Sequence, residues 1–599
     1  MNHTIDFEPI GRRTTVSSAE TILSAAQHAG IILNATCGGE GICGHCIVRV
    51  MAGKVTEPNQ VEESHLGQEQ VSQGWRLACQ VNPLSDAVIH IAPEALATAQ
   101  RTQTEGLDLP VELAPAVRAV TVTLNAPSNS DLRQDASSLQ DYLDISNLHI
   151  PNAVLSLLPG ILKENNTHMN LFLRGNTVVG LRPAGTAALG LAVDLGTTKL
   201  AGYLVDLASG KTLAASGVMN PQIAYGEDVI SRISYATKSR KGRRELQRVV
   251  VDALNAMAVA LCFQTGHATE DIADAVIVGN TAMHHLLLHL PVSQLGTAPY
   301  VPAEKEAMDI VAGGLGLKFA PGANLHLLPN VAGFVGADHV AMLLGSGMLD
   351  CDGVILGMDI GTNTEISLIA HGRHYACSTA SGPAFEGAHI RHGMRAAPGA
   401  IEKVLIHDGD IRLQTVDNQP PVGLCGSGIL DLVAQMLKAG MINLRGAFNK
   451  QGNNPRIRCG ENGMEFVLLT ADENDGREIS FTRKDISEIQ LVKGSIRAGF
   501  EILLEKAGIT EKEIDTVVIA GAFGTYLDVE SGIDIGMFPR ITKDRFVQVG
   551  NAAGTGARMA LLSQAKRAQA IQVARHVSYI ELTTEPSFPS LFTKSLLFN

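Results

Sequence analysis

The sequence predicts an α/β chain built from several domains, and three observations carry this. At 599 residues it is long enough for more than one core. From Leu189 onward, short apolar runs that read as buried strands (LGLAVDLG, DAVIVGN, VILGMDIG, DTVVIAGAFG) alternate with helical stretches, the pattern of an α/β unit. The same region holds an internal echo. LAVDLGTTKLAGYLVDLASGK from Leu191 and LGMDIGTNTEISLIAHGR from Leu356 each read as an apolar strand, Asp-(Leu/Ile)-Gly-Thr, a second strand and a turn. A duplicated lobe gives such a repeat. The expected division is 1–95, a linker at 96–112, a middle domain at 113–188 and a large unit at 189–599.

In the first domain, TIDFEPIG and RRTTVSS alternate and read as a hairpin. SAETILSAAQHAG opens on a serine N-cap candidate, closes on Gly30 and reads as a helix. A cysteine loop follows, then strands at CIVRVMAG, RLACQV and DAVIHIA. A mixed sheet folded over one helix is a β-grasp arrangement. Residues 96–112 lack periodicity and read as a linker. The middle domain runs from the strand AVRAVTVTL to VVGLRPAGTA, carries no catalytic signature and reads as a two-layer spacer.

Composition excludes some functions. With 47 Lys and Arg against 60 Asp and Glu, the net charge is −13, which argues against nucleic acid as a partner. One basic run, KSRKGRRELQR (Lys238 to Arg248), departs from this. It reads as a solvated loop entering a helix, or as a docking patch for an acidic partner. MNHTIDFEPI lacks the apolar core of a signal peptide. Apolar stretches such as MHHLLLHLPV are too short to cross a bilayer. The expectation is a soluble, cytoplasmic protein without a membrane partner.

The loop ATCGGEGICGHCIVRV places Cys37, Cys43 and Cys46 in Cys-x5-Cys-x2-Cys spacing, and Cys79 follows in WRLACQV. Three thiolates in a tight loop and one on a distant strand suit a [2Fe–2S] cluster. Gly38, Gly39, Gly41 and Gly44 let backbone N–H groups approach the sulfides. Zinc is the alternative, but a structural zinc site usually takes two short knuckles and only one is present. Trp75 reads as a core residue. The scattered Cys262, Cys351, Cys377, Cys425 and Cys459 read as small buried hydrophobes.

The repeated Asp-x-Gly-Thr presents backbone N–H groups and hydroxyls at a strand–turn–strand bend, suited to phosphate, while an Asp there can hold Mg²⁺. A third glycine-rich strand end, VVIAGAFGTYL, follows in order. GLCGSGILDLVAQML is a Gly-rich turn entering a helix, with Gly426 and Ser427 at an anion-favouring N-terminus. In VGNTAMHH, polar residues end a strand, and His284 and His285 read as packing or capping residues. STASGPAFEGAHIRHGMRAAPGAI is irregular and Gly-rich, with Ser381, Glu386 and His389 in it, and such loops tend to carry function.

These motifs support three resemblances. Residues 1–95 resemble the adrenodoxin-like [2Fe–2S] ferredoxins, with a rather short gap before the last cysteine. Residues 189–599 resemble the acetate and sugar kinase, Hsp70 and actin superfamily. That likeness implies that Asp194, Gly196, Thr197, Thr198, Asp359, Gly361, Thr362 and Asn363 line the phosphates, and that Gly521, Ala522 and Gly524 lie against the adenosine. End to end, with VGNTAMHHLL, DIGTNTE, SGPAFEGA, GLCGSGILD and AGAFG, the chain resembles the reductive activators of corrinoid-dependent methyltransferases.

The family resemblance implies a β-grasp [2Fe–2S] ferredoxin domain, a linker, a small α/β domain and a duplicated actin-like (ribonuclease H-like) ATPase domain. It implies ATP-dependent one-electron reduction of cob(II)alamin to cob(I)alamin in a corrinoid protein, with one [2Fe–2S] cluster, ATP and Mg²⁺. It further implies an upstream electron donor and a homodimer. Relatives with C-terminal [4Fe–4S] cysteine motifs differ from this chain, which ends SLLFN. Ser381 and Glu386, in the loop Ser378–Gly387, are the candidates for meeting the corrinoid. An activator of another low-potential enzyme, a redox-sensing small-molecule kinase and an Hsp70-like binding module are the competing classes.

Overall fold

The computed structural model describes residues 2–598 other than 9–11, 30, 32, 34, 36–38, 43, 45, 92–105, 108, 125–132, 165–167, 227, 408–409, 450–453, 461–462, 522–523 and 525. In the first domain, β1 (Asn2–Glu8) and β2 (Arg12–Ser17) form the expected antiparallel hairpin. α1 (Ile22–His28) buries Ile22, Leu23, Ala25 and Ala26. Its cap is Thr21 and not a serine: the Thr21 hydroxyl accepts from the Ser24 N–H at 3.2 Å, satisfying one of the open donors of the first turn. β3 (Ile47–Ala52), α2 (Gln60–Ser72), β4 (Trp75–Leu77) and β5 (Ala87–His90) complete the domain. The strand order is β2-β1-β5-β3-β4, with β1 and β5 parallel.

The domain therefore has two helices where the sequence reading has one. Asn59 and Glu62 form a capping box that starts α2. The same Glu62 is buried and takes two hydrogen bonds from Arg76, at 2.9 and 2.7 Å.

The described end of the linker is docked. Gly106 bridges Gly550, and a Cβ on it would meet the Thr555 hydroxyl at 2.4 Å. The Thr555 hydroxyl donates to the Leu107 carbonyl at 3.2 Å. Beyond it, β6 (Val117–Thr123), α3 (Asp135–Leu143), α4 (Asn152–Leu155), α5 (Leu158–Glu164), β7 (His168–Arg174) and β8 (Thr177–Pro183) form the expected two layers. The antiparallel sheet β6-β7-β8 packs against the helices through Leu139, Val154, Leu158, Met169 and Leu171.

The large unit begins with β9 (Leu189–Leu195), β10 (Lys199–Asp206), β11 (Thr212–Met219), α6 (Val229–Lys238), α7 (Arg240–Thr265), β12 (Ile272–Val278), α8 (Thr281–Leu287), β13 (Met308–Val311), β14 (Asn324–Leu327) and α9 (Ala337–Gly345). The sheet order is β11-β10-β9-β12-β14-β13. β9 is buried on both faces, as its unbroken apolar run predicts. Leu191, Val193 and Leu195 face Leu254, Met257 and Leu261 of α7. On composition and length alone α7 is apolar and long enough to cross a membrane, but this face packs on the sheet as a core helix does.

The second lobe starts with β15 (Ile355–Ile360), β16 (Thr364–Ala370) and β17 (Arg373–Thr379). An inserted region follows: β18 (Ala400–His407), β19 (Asp410–Thr415), β20 (Gly423–Leu424), α10 (Gly426–Lys438), β21 (Ile457–Gly460), β22 (Gly463–Leu469) and β23 (Ile479–Thr482). Then come α11 (Arg483–Ala507), β24 (Thr516–Ala520), α12 (Val529–Asp534), β25 (Phe546–Gly550), α13 (Ala552–Leu562), α14 (Gln564–His576), β26 (Val577–Tyr579) and α15 (Phe588–Ser595). The sheet order β25-β24-β15-β16-β17-β26 contains the same five-strand core as the first lobe. The duplication read from the repeated motif is thus a duplication of architecture.

Two helices cross between the lobes. α9 follows the first sheet and packs Met342 and Leu343 against Ile355 and Val518 of the second. α13 follows the second sheet and packs Ala557, Ala560 and Leu561 against the first. They touch backbone to backbone: a Cβ on Gly556 would lie 1.9 Å from the Ala341 carbonyl oxygen, and one on Gly345 would lie 2.1 Å from that of Ala552. Only glycine allows that approach. Of the five scattered cysteines, Cys262, Cys377 and Cys425 are buried as expected, while Cys351 and Cys459 are exposed.

Candidate functional site

Both Asp-x-Gly-Thr turns open into one cavity of about 280 Å³ between the lobes. In the first turn, Asn220 fixes the backbone: its side-chain N–H donates to the Gly196 carbonyl at 2.9 Å, and its own backbone N–H donates to Thr198 at 2.9 Å. Buried Arg232 donates to the Thr197 carbonyl at 2.5 Å, and Asn280 donates to the Thr197 hydroxyl at 2.8 Å. In the second turn, the Gly361 N–H donates to the Asn363 carbonyl at 3.2 Å, and the Gly382 N–H donates to the Thr362 carbonyl at 2.9 Å.

The third glycine-rich segment closes behind the second turn. Gly521 has φ +92°, and a Cβ there would lie 2.7 Å from the Asp359 carboxylate. Gly521 lines the cavity; Gly524 is buried and does not, and the Gln548 side chain donates to its carbonyl at 2.5 Å. Ala522 lies outside the described residues. The N-terminus of α10 brings Gly426 and Ser427 to the same cavity. A Cβ on Gly428 would lie 2.1 Å from the Ile401 carbonyl oxygen, so a glycine seats α10 against β18.

Asp194, Asp338, Asp359 and Glu365 share this space with Glu386 and Glu402. Burial, the charge of Asp359 and, against them, a hydrogen bond from Asn551 at 3.1 Å leave Asp194 pushed up to about 7. Burial pushes Asp359 up to about 6. Asp338 is raised by burial and by the charges of Asp359 and Asp194. Glu365 is raised by burial and by Asp338 and Asp359. Carboxylates crowded out of water ionise together only with positive charge among them, although among the described residues no group of three His, Cys, Asp or Glu is arranged to hold a metal ion. Lys199 and Arg395 line the cavity as well. Lys199 is lowered by burial, with Glu386 opposing and Arg395 reinforcing.

Sequence reasoning missed Asp338, Glu365, Asn280, Asn551, Lys199 and Arg395. Lys199 and Glu365 each lie close behind a motif already singled out. Asp338 and Asn551, at the starts of the two crossing helices, reach the site only through tertiary packing.

The two residues expected to face a corrinoid are placed inward. Ser381 is buried, and its hydroxyl hydrogen-bonds that of Thr364 at 2.5 Å. Glu386 projects into the interlobe cavity, where its carboxylate accepts from Thr198 at 3.2 Å and from Thr362 at 2.5 Å. His284 and His285 are packing residues, as read: both are buried, and His285 accepts from the Ala303 N–H at 2.9 Å.

In the first domain, Cys37 and Cys43 lie outside the described residues. Cys46 and Cys79 are both buried, and the Ala78 N–H donates to the Cys46 carbonyl at 2.8 Å. The Gln80 amide N–H donates to the Cys79 sulfur at 3.5 Å. Gly39, Gly41 and Gly44 are left-handed, with φ +96°, +77° and +70°. Side chains at Gly41 and Gly44 would strike Gln80 and His65, at 2.8 and 2.7 Å. Left-handed glycines beside two buried cysteines, with a side-chain N–H donor on one sulfur, fit an iron–sulfur cluster.

Known families match along the chain. A 2Fe-2S iron-sulfur cluster binding domain matches residues 5–84, the RACo linker region 106–188, the RACo middle region 189–350, and the C-terminal domain of RACo, described as the ASKHA domain, 353–599. The corrinoid activation enzyme RamQ of Eubacterium limosum is 32% identical over 612 residues, covering 99% of this chain and 98% of that protein. The Co(II) methylated amine-specific corrinoid protein reductase of Methanosarcina barkeri is 24% identical over 442 residues, covering 68% of this chain and 77% of that one. A solved structure titled reductive activator for corrinoid, iron-sulfur protein superposes with a TM-score of 0.73 at 35% identity, over 100% of this chain and 98% of that one. With all four regions matched in order and a relative aligned over nearly its full length, the chain belongs to the RACo family of reductive activators.

Proposed function

We propose that this chain reductively activates a corrinoid protein, passing one electron to cob(II)alamin to restore cob(I)alamin, and that ATP bound between its two lobes drives the step. The observation that carries the reading is the pairing, in one chain, of a thiol-bearing glycine loop with an interlobe cavity lined by two hydroxyl-bearing turns and a cluster of carboxylates. An electron carrier needs a nucleotide when the acceptor lies at lower potential than the donor. Each 100 mV of that gap costs about 2.3 kcal/mol per electron. A nucleotide offsets it only if it binds two states of the protein differently.

In this reading Cys37, Cys43, Cys46 and Cys79 hold the [2Fe–2S] cluster, which supplies one electron at a time when bound. Thr197, Thr198, Thr362 and Asn363 orient the phosphates. Asp194 and Asp359, with Asp338 and Glu365 in the same cavity, would hold Mg²⁺, and Lys199 and Arg395 would balance the phosphate charge. The loop Ser378–Gly387 meets the corrinoid, and for Ser381 to do so its bond to Thr364 must open. An upstream electron donor, a homodimeric assembly and a cytoplasmic setting belong to the same proposal.

The test is anaerobic mixing of the reduced holoprotein with cognate corrinoid proteins, with and without Mg-ATP, followed by absorbance of the cob(I)alamin band. Reduction with ATP and little without it supports the reading. Corrinoid proteins that all stay in the Co(II) state with ATP and reduced cluster present overturn it.

A further inference from the structure

We infer that Glu386 is an internal surrogate for a nucleotide's terminal phosphate, latching the two lobes together until a triphosphate displaces it. The inference rests on the nucleotide reading of the cavity and goes beyond it. Thr198 comes from the first lobe's turn and Thr362 from the second's, and both hydroxyls donate to the one Glu386 carboxylate, each to its own oxygen. A phosphate presents the same thing to the same donors: an anionic group with two accepting oxygens.

The charges around it follow the same logic. Lys199 and Arg395 line the cavity with Glu386. The Glu386 charge favours the charged form of Lys199, against burial and Arg395. A terminal phosphate brings more negative charge to the same hydroxyls and cations. It cannot share them with a fixed carboxylate, because like charges in a poorly solvated cleft repel strongly.

The segment carrying Glu386 is seated on the second lobe, with Ala384 and Phe385 buried in its core. It is a short turn, Ala384–Glu386, closed by hydrogen bonds from Glu386 to Pro383 at 2.9 Å and from Gly387 to Ala384 at 3.0 Å. Left-handed glycines bound it, Gly382 at φ +78° and Gly387 at +86°. The Gly382 N–H donates to the Thr362 carbonyl, so the glycine before the turn is tied to the loop whose hydroxyl Glu386 accepts. Displacing the carboxylate breaks the turn's hydrogen bond to Thr198 of the first lobe, while Ala384 and Phe385 keep it seated on the second. A diphosphate too short to reach Thr198 and Thr362 together leaves the latch in place. Glu386 is thus a positioning residue that distinguishes a triphosphate from a diphosphate and passes that information to the Gly-rich segment between β17 and β18.

The experiment uses the full-length holoprotein and the variants Glu386→Gln and Glu386→Ala. Calorimetry measures binding of a non-hydrolysable ATP analogue and of ADP, each with Mg²⁺, and hydrogen exchange is followed across residues 378–399. Losing charge-assisted hydrogen bonds that compete with the ligand should tighten analogue binding about 10-fold in the alanine variant, with glutamine between it and wild type. ADP binding should change by less than about 2-fold, within the scatter of surface substitutions. Exchange across Gly382–Gly387 in the nucleotide-free alanine variant should match that of the analogue-bound wild type. Tighter analogue binding with raised exchange supports the latch. Unchanged analogue affinity with turnover lost overturns it and makes Glu386 a catalytic base. Unchanged affinity and unchanged exchange overturn it while the nucleotide reading stands. A wild-type protein that binds neither nucleotide overturns both. Because glutamine preserves the side chain's shape, a fold that fails only in the alanine variant still leaves the glutamine result to decide.

Discussion

The two lobes of the large unit share a five-strand core, β11-β10-β9-β12-β14 in one and β17-β16-β15-β24-β25 in the other. Strand directions match pair by pair: the first two neighbours are antiparallel and the last two parallel in each. Each core ends its central strand on the motif aspartate and carries a long helix, α7 or α11. The lobes differ in what they add. Opposite Asp194 in the antiparallel register stands Ala201; opposite Asp359 stands Glu365. The second lobe also inserts two three-stranded sheets, α10 and the segment bearing Glu386. The first lobe instead offers the α6–α7 junction and the turn before it, where Gln27 of the first domain donates to the Ala224 carbonyl at 2.5 Å and Lys238 pairs with Glu40. Duplication supplied two matching Asp-x-Gly-Thr turns, and divergence added Glu365 and the Glu386 segment to one lobe and the contacts with the first domain to the other.

The strongest way to break this comparison is to neutralise each motif aspartate. Asp194→Asn and Asp359→Asn should each lower Mg-ATP turnover by at least about 10²-fold, the usual scale for removing one electrostatic contributor to a transition state. The visible spectrum of the cluster should stay unchanged, since the first domain has its own core. Steady-state phosphate release reads the first quantity and absorbance the second. Full turnover in either variant would show that the lobes do not contribute equivalent aspartates.

A sharper contrast lies one strand away. Gly279 follows β12 as Gly521 follows β24. A Cβ at Gly279 would lie 2.7 Å from the Leu195 carbonyl, and one at Gly521 would lie 2.7 Å from the Asp359 carboxylate. Only Gly521 is also left-handed, at φ +92°. Gly279→Ala should cost about 1–3 kcal/mol from overpacking. Gly521→Ala should add about 1–2 kcal/mol of backbone strain to that. Denaturant midpoints at constant slope give both values, and equal losses would remove the conformational difference between the lobes.

The long helices differ too. Among the described residues α11 buries a lysine fully: Lys493 donates to the Leu597 carbonyl and lies 5.8 Å from the Phe598 ring. Burial, then the charge of Arg497, pushes it down to about 7 from an ordinary 10.5. Between those values the unfolded chain holds the extra proton. Stability should therefore rise with pH across that window and fall as pH drops toward 7, at no more than about 1.4 kcal/mol per pH unit. Lys493→Met should flatten the slope. Thermal unfolding at several pH values checks it, and an unchanged slope in the variant would mean that Lys493 titrates elsewhere.

Much of this was legible in the sequence because it is local. The hairpin, the two Asp-x-Gly-Thr turns and the entry to α10 follow from alternation, glycine placement and capping. What escaped was of two kinds. α2 had a signal, the Asn59–Glu62 box, masked by a helix with few apolar residues. Asp338, Asn551 and the inward aim of Glu386 had none: each depends on helices or loops crossing from one lobe to the other, and contact between distant segments leaves no periodicity in a single sequence. Reading SGPAFEGA as irregular was right, but irregularity does not say which way a carboxylate points.

The smallest expected effect tests where the electron carrier rests. The basic run Lys238–Arg248 was open between a solvated loop entering a helix and a dock for an acidic partner; the structure makes it the end of α6 and the start of α7, and gives Lys238 an acidic partner within the chain, Glu40, in the cysteine loop itself. Glu20 of the same domain feels the charge of Lys241. Lys238 and Glu40 are more than half exposed, 60% and 55%, so the pair contributes on the order of 0.2–1 kcal/mol and is weakened by salt. An exchange of that size is what a domain needs if it is to leave its dock and return without a large barrier. Lys238→Glu should lower the docked fraction up to about 5-fold at low ionic strength, and Glu40→Lys in the same chain should restore it. Small-angle scattering across a salt series reads the docked fraction. If the single variant scatters like wild type at every salt concentration, the Gln27 side chain's bond to the Ala224 carbonyl holds the domain without the ion pair, and the first lobe's basic run is only a solvated face.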